Sequence, residues 1–238
     1  MNRDHHRWYS PNLGRDMELL VYGYSGARVI VFPTSQGRYF DWENQGMVES
    51  MSGSIERGDI QLYCVDSVDA ESWYARWKWP GDRAWRQTQY DNYMTREVIP
   101  FTQRNTDPFL IVLGASFGAY QAVNFAFRHP DLVGRVLAMN GLYDISDWTD
   151  GHHDDNVYFN NPVEFVKNEH DPARLEQMRH MDIILTTSET EPLRKDTEYF
   201  SQILWEKEIW HALRVWNGWA HDWPYWKQMI DLYLSGSD

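Results

Sequence analysis

Phe109-Leu110-Ile111-Val112-Leu113-Gly114-Ala115-Ser116-Phe117-Gly118-Ala119-Tyr120-Gln121-Ala122-Val123-Asn124-Phe125-Ala126 is the stretch whose reading decides the fold. It opens on a five-residue apolar run of strand type and closes on a helix-like stretch from Ala119 to Ala126. Between them stands a G-x-S-x-G turn. A strand, this turn and a helix, in that order, make a nucleophile elbow. Such a turn forces its central residue into strained backbone angles, and the flanking glycines remove side chains that would collide with strand and helix. Ser116 is thereby lifted to the top of a sheet, at the positive end of the following helix.

Working outward, apolar runs alternate with helical stretches. Strands are expected at Glu18–Tyr24, Arg28–Pro33, Ile60–Val65, Arg135–Asn140, Met181–Thr187 and Ala212–Trp216, with helices around 43–54 and 84–101. That alternation predicts an α/β fold, a mainly parallel central sheet with helices on both faces. The region 142–179 lacks strand signals and carries Asn160-Asn161-Pro162 and Asp171-Pro172, so it reads as a small helical insertion over the site. No linker or internal repeat divides the 238 residues, and a single domain spanning 1–238 is expected.

Composition narrows the function. The formal net charge is −13, which disfavours nucleic acid and anionic membrane surfaces, since both need basic patches. No run approaches the ~20 apolar residues of a membrane span. The N-terminal segment Met1–Trp8 is polar and lacks the apolar core of a secretory signal. The lone Cys64 lies in a core-strand sequence and reads as a buried, inert thiol. A cytoplasmic location is expected. Aromatics are plentiful, with 13 Trp, 14 Tyr and 10 Phe; the segment Trp73–Trp79 fits a substrate rim and core filling equally well.

A serine needs an adjacent base. The loop after the last strand, Asn217-Gly218-Trp219-Ala220-His221-Asp222-Trp223-Pro224, puts His221 where a base belongs, before a closing helix. The acid should follow the previous strand, where Ser188-Glu189-Thr190-Glu191 offers two carboxylates; Glu191 is the first choice and Glu189 the reserve. Asp222, adjacent to His221, reads as a structural hydrogen-bonding residue because neighbouring side chains diverge. His152-His153-Asp154-Asp155 has a metal-like composition, but consecutive residues rarely converge on one ion, so a solvated loop is the reading. For the oxyanion, one backbone N–H should be that of Phe117. The other should come from Thr34-Ser35-Gln36-Gly37, with Gln36 first and Ser35 second, because Pro33 has no N–H.

Three segments also carry a family resemblance: Gly114–Tyr120, Phe127-Arg128-His129-Pro130-Asp131-Leu132 and Trp219-Ala220-His221-Asp222-Trp223-Pro224-Tyr225-Trp226. The chain resembles, over nearly its whole length, the α/β-hydrolase esterase family of S-formylglutathione hydrolases (esterase D), siderophore and feruloyl esterases and mycolyltransferases. It is most similar to a small bacterial branch, through Phe32-Pro33-Thr34-Ser35 and Tyr63-Cys64-Val65-Asp66-Ser67. The resemblance implies an α/β-hydrolase fold, with Ser116 as nucleophile and His221 as base. Family members usually show Gly-x-x-Asp after the acid's strand, and the spacing sets Glu191 on that aspartate position. The implied activity is hydrolysis of a small-molecule carboxylic ester through an acyl-enzyme, with no metal or organic cofactor. An acyltransferase of the same fold and a non-catalytic binding protein are the alternatives, and a peptidase is a lesser one. Members of the group often pair through surface helices, which leaves a homo-oligomer open.

Overall fold

The computed structural model describes residues 1–234. Eight strands form one sheet: β1 (Arg3–Ser10), β2 (Arg15–Tyr22), β3 (Ala27–Phe32), β4 (Ile60–Val65), β5 (Leu110–Ala115), β6 (Arg135–Met139), β7 (Asp182–Ser188) and β8 (Ala212–Trp216). Their spatial order is β1-β2-β4-β3-β5-β6-β7-β8. β1 and β2 run antiparallel to their neighbours, and the pairings from β4 to β8 are all parallel. The mainly parallel sheet of an α/β-hydrolase is therefore present.

Helices α1 (Asp41–Asn44), α2 (Met47–Ser50) and α3 (Ser52–Arg57) follow β3, and α4 (Pro80–Tyr93) and α5 (Ile99–Thr102) precede β5. Next come α6 (Phe117–Arg128), the short α7 (Asp155–Tyr158), α8 (Pro162–Lys167) and α9 (Pro172–His180), then α10 (Arg194–Glu206) and α11 (Trp223–Tyr233). The region 142–179 folds as short helical pieces, including a single 3₁₀ turn at Ser146–Trp148.

Strand side chains alternate between two apolar layers, as a pleated strand requires. Val29 and Val31 join the layer that holds Trp42, Met229 and Ile230 of α1 and α11. Ile30 and Phe32 join the layer of Tyr90, Ala122, Val123 and Phe200 from α4, α6 and α10. Both faces are covered, so the central strands have apolar neighbours on each side and read as continuous hydrophobic runs.

Three local expectations change. The polar N-terminus is a strand: β1 lies at the sheet edge with most side chains exposed, so burial leaves little pattern to read. The helix expected over 43–54 is broken, with Gly46 in the left-handed region (φ +68°) between α1 and α2. The helix expected over 84–101 contains a π-helical turn at Met94–Val98. Pro100 accounts for it, because its ring would clash with the carbonyl four residues earlier and the wider turn relieves that conflict.

Candidate active site

The carboxyl ends of β5, β6, β7 and β8 each deliver one group to a common edge of the sheet. At β5, Ser116 adopts φ +55° and ψ −123° and stands immediately before α6. Backbone in this region costs on the order of 1–3 kcal/mol and must be held. It is held here by the Ser116 N–H, which donates to the Met139 carbonyl of β6 at 2.8 Å. The two glycines are steric necessities. A Cβ on Gly114 would overlap the Gly118 carbonyl, and one on Gly118 would sit 2.5 Å from the Pro33 carbonyl oxygen. That second contact also shows how closely the start of α6 approaches the chain leaving β3. Ser116 is partly exposed while Ala115 and Phe117 beside it are buried.

Beyond β7 and β8, His221 Nδ1 meets Glu191 Oε1 at 2.6 Å. The Glu191 side chain is wholly buried, and its other oxygen accepts from the Asn140 side-chain amide. A carboxylate can only accept, so Nδ1 carries the proton and Nε2 is left with its lone pair. Glu189 lies apart and exposed, with Oε2 accepting the Gly218 N–H at 2.8 Å. His221 thus meets Glu191 and not Glu189. Asp222 caps α11 through the Trp223 N–H at 2.7 Å. No hydrogen bond joins Ser116 to His221 among the described residues; such contacts are often long before substrate binds.

Asn140 is the residue that sequence reasoning missed. It follows β6 with φ +54°, donates to Glu191, and accepts Trp226 Nε1 of α11 at 2.9 Å. The Trp226 ring also stacks edge-on against His221, at 5.3 Å. The one strand end that anchors the Ser116 N–H therefore also bonds Glu191 and the helix packed against His221. The available signal was an Asn-Gly pair at a strand end, where a left-handed residue is common.

The loop after β3 departs from expectation at Gln36. Its N–H donates to the buried Asp69 at 3.1 Å and is already engaged. The Thr34 N–H is likewise engaged by Asp41 at 2.9 Å, and the Gly37 N–H by the Thr34 carbonyl at 2.8 Å. Within Thr34–Gly37 that leaves the Ser35 N–H without an acceptor among the described residues. The Phe117 N–H, first in its helix, has no intrahelical acceptor either.

The Trp-rich segment divides between core and surface. Trp73 is fully buried and donates to Tyr120 Oη at 2.9 Å, whereas Trp77 and Trp79 are exposed. Tyr74, between them, donates to Ser35 Oγ at 2.7 Å. Its ring packs on Phe117 (5.1 Å) and Trp148 (4.9 Å), an aromatic cluster next to Ser116 in the chain. Arg76 lies over the Trp148 ring at 4.5 Å.

Elsewhere the chemistry-bearing residues have structural partners. Cys64 is buried, which pushes its thiol well up from the ordinary range. His153 bonds to Glu164 at 2.6 Å, and no group of three potential ligands that could hold a metal occurs among the described residues. None of the described helices is long and apolar enough to cross a membrane.

Comparison with known proteins agrees with this fold. A ferulic acid esterase superposes with a TM-score of 0.78 at 18% identity, covering 98% of this chain and 96% of its own. A fluorophosphonate-binding serine hydrolase of Staphylococcus aureus gives 0.75 at 15% identity, with 98% and 97% covered. An S-formylglutathione hydrolase from Agrobacterium tumefaciens gives 0.75 at 15% identity, with 98% and 93% covered. No curated protein sequence matches the chain. A family profile described as "Putative esterase" matches residues 10–232. The chain therefore belongs to that esterase family, on the α/β-hydrolase fold.

Proposed function

We propose that the protein is a serine carboxylic-ester hydrolase that works through an acyl-enzyme on Ser116, with His221 as base and Glu191 as acid. The observation that carries this reading is the His221–Glu191 bond of 2.6 Å on the same sheet edge as the strained Ser116 elbow. Held with its Nδ1 proton on Glu191, the imidazole offers Nε2 to the serine hydroxyl. Ser116 Oγ attacks the ester carbon as His221 takes its proton; the proton then passes to the leaving alkoxide. Water, deprotonated by the same imidazole, releases the acid and restores the serine. Glu191 orients the ring and stabilises the imidazolium without itself becoming protonated.

The negative oxygen of the tetrahedral intermediate is assigned to the N–H groups of Phe117 and Ser35. Gln36, the first expectation, gives way to Ser35 because its N–H is engaged by Asp69. Each such donor is worth about 3 kcal/mol in the transition state. The wall of Tyr74, Phe117 and Trp148 bounds the substrate mouth next to this hole. A small-molecule ester is the substrate class, and no step requires a cofactor.

Hydrolysis of short p-nitrophenyl esters by wild type and Ser116→Ala tests the reading, with intact-mass detection of a fluorophosphonate adduct. Serine-dependent turnover with one adduct is the expected result. An adduct without turnover would point to the acyltransferase variant, in which an alcohol replaces water. Absence of both would overturn catalysis altogether.

A further inference from the structure

We propose that Asp69 is a positioning residue for the oxyanion hole, a buried carboxylate that ties the loop carrying Ser35 to the helix carrying Phe117. The inference rests on the donor pair proposed above. The two donors come from segments distant in sequence, the β3–α1 loop and the start of α6. An oxyanion hole works only when both lie about 2.7–3.1 Å from the developing charge, so something must fix one segment against the other.

Asp69 has the geometry for it. The residue is 1% exposed, just beyond β4, beneath both segments. Its Oδ2 accepts the N–H of Gln36, directly after Ser35, at 3.1 Å. Its Oδ1 accepts Nε2 of Gln121, one turn along α6 from Phe117, at 3.0 Å. One side chain therefore bridges the two halves of the hole. Gln36 also sits at φ +56°, a strained conformation for a residue with a side chain, and its N–H is engaged by the bond to Asp69. The preceding N–H, on Ser35, is the one left without an acceptor among the described residues.

The surroundings of Asp69 suit an acceptor. Behind Gln121, Gln87 Nε2 donates to its Oε1 at 2.7 Å, so the Gln121 amide is oriented with its NH₂ toward Asp69. Both partners of Asp69 are thus donors, which fits the ionised form. Burial works against that form and pushes the Asp69 carboxyl up to about 7, against its Gln36 and Gln121 hydrogen bonds, and the charge of neighbouring Asp66 adds to the rise. The nearest cation of the loop, Arg38, is paired with Asp66 instead, at 2.6 Å. A carboxylate kept here without a counter-ion burdens the fold. Burdens of that kind concentrate where function needs them.

The test compares Asp69→Ala and Asp69→Asn with wild type in the full chain. Readouts are kcat and KM on a p-nitrophenyl ester, melting temperature, and amide hydrogen exchange of residues 34–37. Removing the carboxylate should speed exchange in the loop and lower kcat at least about tenfold, since an ångström of misplacement can cost about a hundredfold. KM should stay within about twofold, because the hole acts on the transition state rather than on ground-state binding. Asparagine, whose carbonyl oxygen still accepts the Gln36 N–H while its NH₂ meets the Gln121 donor, keeps the loop half of the tie and should give a kcat between those of Asp69→Ala and wild type. Unchanged loop exchange in Asp69→Ala, or faster exchange with kcat intact at a temperature where the variant is folded, would overturn the proposal. A kcat loss that Asp69→Asn shares in full, with a matching fall in melting temperature, would also overturn it by showing a merely structural role. Wild type and Ser116→Ala run alongside separate this failure from that of the esterase reading. If wild type shows no Ser116-dependent turnover, the function fails, while loop exchange still reads the tie itself.

Discussion

Two serine–histidine pairs stand out among the described residues, and the one joined by a hydrogen bond is the one sealed from solvent. Ser201 of α10 donates to His211 Nε2 at 2.6 Å, and His211 Nδ1 donates to the Ile209 carbonyl at 3.0 Å. Among the described residues no hydrogen bond joins Ser116 to His221, yet His221 shows the same tautomer, with its Nδ1 proton directed at an oxygen. The difference lies around the pairs. Ser201 and His211 are 4% and 2% exposed, so no substrate reaches them. Behind His211 stands a neutral carbonyl, which cannot stabilise an imidazolium as a carboxylate does. Ser201 lies mid-helix, where backbone N–H groups are engaged by the helix itself, whereas Ser116 precedes a helix and leaves the Phe117 N–H free. Access, a carboxylate and unengaged donors make a nucleophile; a short hydrogen bond alone makes a core contact.

Four comparisons press on this contrast. The largest effect should come from exchanging one hydroxyl at each pair. Ser116→Ala should lower kcat/KM on a p-nitrophenyl ester by about 10,000-fold or more, with Ser201→Ala unchanged in the same assay. Comparable losses at both serines would break the distinction. Next, Glu191→Gln should cost on the order of a thousandfold in kcat, because an amide cannot both hold the Nδ1 proton and stabilise the imidazolium. Glu189→Gln should cost far less, and the reverse order measured by steady-state kinetics would move the acid.

Smaller still, Asn140→Ala should reduce kcat about tenfold, by loosening Glu191, and should destabilise the fold by about 1–3 kcal/mol in urea unfolding. It leaves one Glu191 oxygen with only the Thr187 hydroxyl at 3.4 Å, and the Trp226 indole without its partner. The smallest effect concerns the sealed pair and pH. Burial lowers the His211 titration below its ordinary 6.5. The unfolded chain therefore binds the proton more readily, and the stability that the neutral ring contributes is fully present above pH 6.5 and lost as pH falls through the depressed folded value. A His211→Asn variant should show a flatter decline of melting temperature on acidification below pH 6.5 than wild type does.

How far the sequence carried these assignments depends on whether the signal was local. The elbow was legible because strand, glycines, serine and helix are contiguous, and steric demands act between near neighbours. The site loop around His221 was legible for the same reason, through its place between β8 and α11. Glu191 could be narrowed only to one of two carboxylates, since burial decides between them and burial is a property of the packed chain. Gln36 and Ser35 differ in whether the backbone N–H is engaged, and the Gln36 N–H is engaged by Asp69 more than thirty residues away. No local pattern reveals that. Asn140 escaped notice because its partners, Glu191 and Trp226, meet only when β6, β7 and α11 are assembled. The edge strand β1 was hidden by exposure: His5, Arg7 and their neighbours pair with charged groups of β2 instead of entering a core.

The strand-end junction at Met139–Asn140 has a consequence for how the chain becomes functional during synthesis. Ser116, the Phe117 and Ser35 donors and Asp69 all lie in the first half of the chain. Glu191, His221 and Trp226 come from its last fifty residues. The segments carrying Ser116 and the two proposed oxyanion donors are therefore synthesised well before the residues proposed as acid and base. On the proposed assignment, Ser116 meets its base only after α11 has docked onto Asn140, so the reactive pair is the last part of the site to form.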